Sequence, residues 1–247
     1  MITVARADLH RMLARRGLIL ASVLVPVAIA LVLAAVLMFL HVRNPVEHPT
    51  VGGASFFSLV SIVAIISVVF GTVIGAIFGA EDVANGTLRY ILLTGFSRLQ
   101  LFFTRIPVLA IVAIVVALPA FFLMLIGALI LPHVGEPSVA ASDVARPLLS
   151  LVLTVGIYAL IAYGIGVAIR STGGAIAVAL GLNLIGINLF SLIALAVPSV
   201  KPWLLDSALI RVSDGGDTSI AIAIVALIVW PGVFLAIGLV RALRTEA

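Results

Sequence analysis

Apolar residues gather in six long runs, at about 18–40, 56–79, 106–131, 148–169, 174–197 and 218–240, with polar stretches between them. A helix rises about 1.5 Å per residue, so roughly twenty apolar residues cross the ~30 Å hydrocarbon core of a bilayer. The pattern therefore predicts an all-α, polytopic membrane protein with six transmembrane helices in a single domain, 1–247. Pro26, Pro107, Pro119 and Pro231 lie in or at the edges of these runs. They are expected to bend the helices, because neighbouring helices can satisfy the backbone groups that proline frees.

The polar stretches carry patterns of their own. Between the second and third runs, Leu88, Ile91, Leu92 and Phe96 keep helical spacing, with Asn85, Arg89 and Arg98 around them. This predicts an amphipathic helix over about 81–98, acidic at its start (Glu81, Asp82) and followed by basic residues (Arg98, Arg105). Ahead of the first run, Val4, Leu9, Met12 and Leu13 can share one face, with Arg6, His10, Arg11, Arg15 and Arg16 on the other. An interfacial helix is expected there. A basic segment before an apolar run is also the pattern of a signal peptide, but this run is long enough to cross a bilayer, which predicts a retained anchor. The stretch 41–54, with His41, Pro45, His48 and Pro49, reads as a loop. The stretch 198–217 is more apolar, with Trp203, Leu204, Leu205, Leu209, Ile210 and Val212. It can be a re-entrant segment or a loop anchored by an interfacial tryptophan.

Composition agrees with the pattern. Hydrophobic residues make up 64% of the chain and charged residues 10%, where soluble domains are about one-quarter charged. The net charge is +4. In a membrane protein such an excess orients the spans, so no nucleic-acid partner is expected from it. With the N-terminus inside, ten basic residues are cytoplasmic (Arg6, Arg11, Arg15, Arg16, Arg89, Arg98, Arg105, Arg170, Arg241 and Arg244) and four are outside (Arg43, Arg146, Lys201 and Arg211). Six of the ten acidic residues fall outside. Both termini and the 81–98 helix are thus expected in the cytoplasm. Lys201 is the only lysine, and the arginine-rich composition hints at a GC-rich bacterial genome, hence a bacterial inner membrane.

Little catalytic chemistry is available. There is no cysteine, so neither thiol chemistry nor a Cys-ligated metal arises. All four histidines (His10, His41, His48 and His133) lie outside the predicted spans, which removes an intramembrane Ser–His pair. No H-E-x-x-H zinc motif or G-x-x-x-x-G-K-[ST] phosphate loop occurs, so the chain is not expected to be an enzyme or to hydrolyse nucleotide on its own. No Asp, Glu, Lys, Arg or His falls in the middle of a predicted span, as ion-coupled pumps require. Hydroxyls and amides do fall there. Asn183 and Asn188 are the candidates for a substrate pathway; cross-helix bonding is the alternative for both. Gly71, Gly75 and Gly79 repeat every fourth residue, a spacing that lets helix backbones approach, either within the subunit or at a dimer seam. Internal repeats are absent, which weakens an inverted-repeat secondary transporter.

Six runs, an interfacial N-terminal helix and a polar helical segment after the second run resemble the permease subunits of type-2 ATP-binding-cassette (ABC) exporters. The resemblance is sharpest at Glu81, Gly86-Thr87, Ile91-Leu92, Thr94, Ser97-Arg98 and Arg105. It departs at Gly95, where the family commonly has proline, and at Arg105, where it has lysine. The resemblance implies that 81–98 is a coupling helix lying in a cleft of a separate ATP-binding subunit. Leu88, Leu92 and Phe96 would dock there, rimmed by Glu81, Arg89 and Arg98, with Gly86, Thr87 and Ser97 completing the motif. It further implies a second permease copy, identical or homologous, ATP and magnesium held by the partner ATPase and not by this chain, and a re-entrant segment before the last span. Export of an amphipathic or hydrophobic compound (a drug, an antimicrobial peptide or a lipid) is the corresponding expectation, since the spans offer an uncharged apolar lining. Rival readings are a non-transporting membrane scaffold or regulatory subunit, and a small secondary transporter.

Overall fold

The computed structural model describes residues 2–44, 53–93, 95–130, 141–214 and 219–244. Every regular element among them is helical: α1 (Ile2–Leu13), α2 (Arg16–Arg43), α3 (Gly53–Ala84), α4 (Leu88–Leu93), α5 (Arg98–Ile130), α6 (Ala141–Ile169), α7 (Thr172–Gly181), α8 (Ile187–Ala196), α9 (Leu205–Asp214) and α10 (Ile220–Arg244). A π-helical segment, Leu182–Gly186, joins α7 to α8, and a 3-10 segment, Pro198–Trp203, precedes α9.

Five helices are long and apolar enough to cross a membrane: α2, α3, α5, α6 and α10. The chain is a multi-pass helical membrane protein. The run expected at 174–197 is not one regular helix but α7, the π-helical segment and α8 in succession. The other five runs are present, and four of them start or end well beyond the apolar limits. The α5 helix, for example, begins at Arg98 and not at 106. A polar turn extends a helix when protein packs against it. Pro26, Pro107, Pro119 and Pro231 all lie inside helices, as does Pro147 in α6.

The core is built around α6, which packs against α3 on one side and α10 on another. Glycine sets both contacts. Gly71, Gly75 and Gly79 of α3 lie against Val155, Ala159 and Tyr163 of α6, so close that a β-carbon at Gly75 would collide with the Ala159 carbonyl. Gly166 returns the contact against Ala76 and Gly79. On the α10 side, Gly164 meets Phe234 and Leu235, and Gly238 meets Gly164. The three α3 glycines therefore form a seam within the subunit, and the dimer-seam alternative is set aside. Ser22, Pro26 and Ala30 mark the narrow buried stripe of α2, whose remaining surface is mostly exposed and apolar.

The 198–214 stretch folds back onto the bundle. Leu204, Leu205, Ala208 and Leu209 are buried, Ala208 against Ala223 and Ala226 of α10. The Trp230 indole donates to the Trp203 carbonyl at 3.0 Å. The Tyr158 hydroxyl bonds the Asp206 carboxylate at 3.2 Å. Tyr158 lies about 16 Å along α6 from its end at Ile169, near the middle of the helix. Asp206 itself lies in α9, outside the five long apolar helices, and its carboxylate packs against α6 from there.

Most of the loop expected at 41–54 lies outside the described residues, though His41 and Arg43 belong to the last turn of α2.

A candidate coupling site at the arginine-rich end

The ends of α3, α6 and α10, the starts of α2 and α5, and α1 with α4 come together at one end of the bundle. The 81–98 stretch is not a single helix there. Its first four residues complete α3, and its last begins α5. Only six residues, Leu88–Leu93, form the separate helix α4. Two glycines cause the interruption. Gly86 (φ 67°) and Gly95 (φ 92°) occupy the left-handed region that glycine enters without a steric penalty. Thr87 sits between the α3 cap and α4, its hydroxyl donating to the Asp82 carboxylate at 3.2 Å. Ser97 starts α5 through a capping box: its hydroxyl accepts from the Gln100 amide at 3.2 Å, and the Gln100 side chain accepts from the Ser97 amide at 3.1 Å.

Glu81 and Asp82 sit at the C-terminal end of α3, where a helix dipole disfavours negative charge. Three arginines offset that cost. Arg11 bridges Glu81 at 2.8 Å and Asp82 at 2.7 Å, and Arg15 also pairs with Glu81. Arg105, almost wholly buried, pairs with Asp82, faces Asp8 at 3.7 Å and donates to the Phe78 carbonyl at 3.1 Å. Its guanidinium also lies 5.0 Å from the centre of the Phe78 ring, within cation–π range. Three carboxylates (Asp8, Glu81, Asp82) and three guanidiniums (Arg11, Arg15, Arg105) thus balance to zero formal charge. They tie α1, α3 and α5 together. The α1 helix is present as expected, but with Asp8 and Met12 buried it rests on protein as well as on any surface.

This changes the roles expected for several residues. Glu81 is buried and doubly paired, so it is a structural anchor and not an exposed rim. Arg98 donates to the Ala242 carbonyl of α10 at 3.1 Å and is half-buried. Leu88 turns inward and lines a cleft with Phe102, Tyr163 and Val167; Leu92 and Phe96 are half-buried. The side chains that α4 leaves exposed are Tyr90 (72%) and Leu93 (77%), which spacing did not single out. Leu99 and Phe103 continue the exposed apolar strip onto α5. Their signal was available: with Leu88 facing inward, residues two and five positions later point away from it. The side chain of Arg89, and Thr94 as a whole, lie outside what is described.

The pathway candidates separate. The Asn183 amide donates to the Thr72 hydroxyl at 3.1 Å, bonding the π-helical segment to α3 beside Tyr158 and Trp230. That bond is of the kind the cross-helix alternative describes. The Asn188 side chain lies outside the described residues.

Arg170 is the single non-glycine residue with positive φ (65°) among the described residues. It follows the last residue of α6, where glycine is the usual cap. The left-handed conformation costs a residue with a side chain about 1–2 kcal/mol. Partial burial, then the charges of Arg241 and Arg98, hold its guanidinium below the ordinary arginine value.

The site and fold define a class, a helical multi-pass membrane protein with a short helix braced by buried ion pairs at one end. Set against known proteins, the chain matches no family model and no curated sequence.

Proposed function

We propose that this chain is the permease subunit of a type-2 ABC exporter in a bacterial inner membrane, with both termini and α4 in the cytoplasm. The observation that carries this reading is α4 itself. It is a short helix between two glycine turns, it presents Tyr90 and Leu93 outward, and the elements on either side are paired with α1 through Arg11–Glu81 and Arg105–Asp8. A soluble motor pressing on such a helix would move α3 and α5 together as one body. The segment 172–196 then serves as a sixth span, helical over about 37 Å despite its π-helical interruption. In this reading the α9 segment is re-entrant from the outer side. Two copies of the chain, or this chain and a homologue, would form the pathway over a pair of ATPases that bind ATP and magnesium, and the cargo would be an amphipathic or hydrophobic compound.

Co-purification tests it. The wild-type chain is expected to retain an ATP-hydrolysing subunit encoded beside it, and Leu93→Asp or Tyr90→Asp to release that subunit without unfolding the permease. Retention of the ATPase by both variants would reject α4 as the coupling element. The Asp206–Tyr158 pair gives the secondary-transporter reading a physical basis, because a carboxylate packed against a long apolar helix can titrate during a transport cycle. Proton- or sodium-driven flux in vesicles without ATP would establish that rival.

A further inference from the structure

The cleft beside α4 is walled by apolar side chains (Phe102 and Val167 among them) and crowned by Arg98 and Arg170, with Ala242 of α10 at its edge. Its one lining carboxylate, Asp82, already serves Arg11 and Arg105. Among the described residues no ion pair involves Arg98 or Arg170, and the charges of Arg98 and Arg241 repel that of Arg170. Arg170 is also held in a left-handed backbone conformation that glycine would adopt freely. Helix C-termini account for one basic residue each, through the dipole. They do not account for guanidiniums from α5 and from the α6–α7 link lining one apolar cleft.

From this geometry we infer that Arg98 and Arg170 bind the phosphate of an anionic phospholipid, its acyl chains running along the adjoining apolar surface. Guanidinium matches phosphate geometry in fork-like hydrogen bonds, and a lipid brings both the counter-charge and the apolar portion that the cleft walls accept. A separate apolar surface of α10, formed by Ala236, Ile237 and Val240, lies beside Arg241 and Arg244. The inference requires only that this end of the bundle lie at a membrane surface, so it stands or falls apart from the exporter reading.

The test is lipid retention by the full-length chain, purified in detergent, stripped of lipid and titrated with phosphatidylglycerol or phosphatidylcholine of equal chain length, read by native mass spectrometry. Phosphatidylglycerol is expected to bind preferentially. Arg170→Gly removes the charge while suiting the backbone, and should weaken that binding about fivefold, the share of one arginine near an anionic surface. Arg98→Gln should do the same, while Arg43→Gln, an equal charge loss at the opposite end, should not. Equal retention of the two lipids, or an Arg170→Gly protein that binds like wild type, overturns the inference. Millimolar inorganic phosphate displacing the lipid completely would show a free-anion site instead. So would loss of a co-purifying protein in Arg170→Gly, with lipid retention unchanged, point to a protein carboxylate as the true counter-charge; either result rejects the lipid.

Discussion

Consider replacing Arg105 with methionine, which preserves most of the side-chain volume and removes the charge. Arg105 and Asp82 have side chains only 8% and 4% exposed, so water screens little of their interaction. Without the guanidinium, the balanced set of three cations and three anions becomes a buried net charge of minus one. Asp8 loses its facing cation, and Asp82 keeps Arg11 as its one cation, with the Thr87 hydroxyl beside it. Removing one partner of a buried pair costs about 3–5 kcal/mol, because the remaining charge stays desolvated. Arg11→Met is the internal comparison. Its side chain is 35% exposed, Glu81 keeps Arg15, and Asp82 keeps Arg105. Its loss should therefore cost about 1 kcal/mol, the scale of a solvent-screened pair. Reversible unfolding in mixed micelles, followed by the fluorescence of Trp203 and Trp230, gives both numbers. Arg105→Met combined with Asp82→Asn should then be less destabilised than the sum of the single variants, by at least about 1 kcal/mol. Equal costs for Arg11→Met and Arg105→Met, or strict additivity of the pair, would refute the claim that burial makes Arg105 the centre of this network.

Gly75→Val should destabilise the fold by about 3 kcal/mol or more, since its β-carbon meets backbone of α6; Gly71→Ala should cost less, because the nearest atom is a Val155 methyl at 2.8 Å that can give. The same unfolding assay ranks them, and a reversed order would break the seam argument. Tyr158→Phe should cost about 1 kcal/mol by orphaning the Asp206 carboxylate, and Tyr158→Phe with Asp206→Leu should recover part of it; no recovery would mean that the bond does not hold α9 in place. Tyr90→Asp and Leu93→Asp should change stability by under about 0.5 kcal/mol, as exposed positions do, while eliminating binding of an ATPase partner. A large loss of stability in either would mean that the exposed strip packs against this chain.

Five of the spans were legible because a bilayer imposes length and hydropathy on any helix that crosses it. The polar end was less so. Glu81 and Asp82 read as the acidic start of a helix when taken with the residues after them, yet they are the acidic finish of α3. Their compensation comes from Arg11 and Arg15, some 70 residues earlier, which no local pattern can disclose. Gly86 and Gly95 did carry a readable signal, since glycine inside a helical pattern marks a candidate stop, but the apolar period outweighed it. Glycine spacing foretold close approach along α3 without naming the partner, because small residues admit any backbone. Asp206 was hidden for a different reason. Hydropathy sees that a connecting segment is moderately apolar but not that it turns back against α6 and α10.

The packing of α6 limits how movement can pass through the bundle. Gly75 and Gly79 face the Ala159 and Tyr163 carbonyls with no room for a β-carbon, so α3 cannot slide along α6 without losing that fit. Gly164 and Gly238 impose the same restriction between α6 and α10. Packed cores of this kind shift between discrete arrangements and do not deform smoothly. A force applied at α4 therefore cannot dissipate as small slips between α3, α6 and α10; it turns the three as a unit. The far side of that unit holds α9, through Tyr158–Asp206 on α6 and Ala223 and Ala226 on α10. The softer joints are the π-helical segment between α7 and α8, and the thin contact of α2. If an end-to-end motion exists, α9 travels with the block, and α8 and α2 are the elements past which it moves.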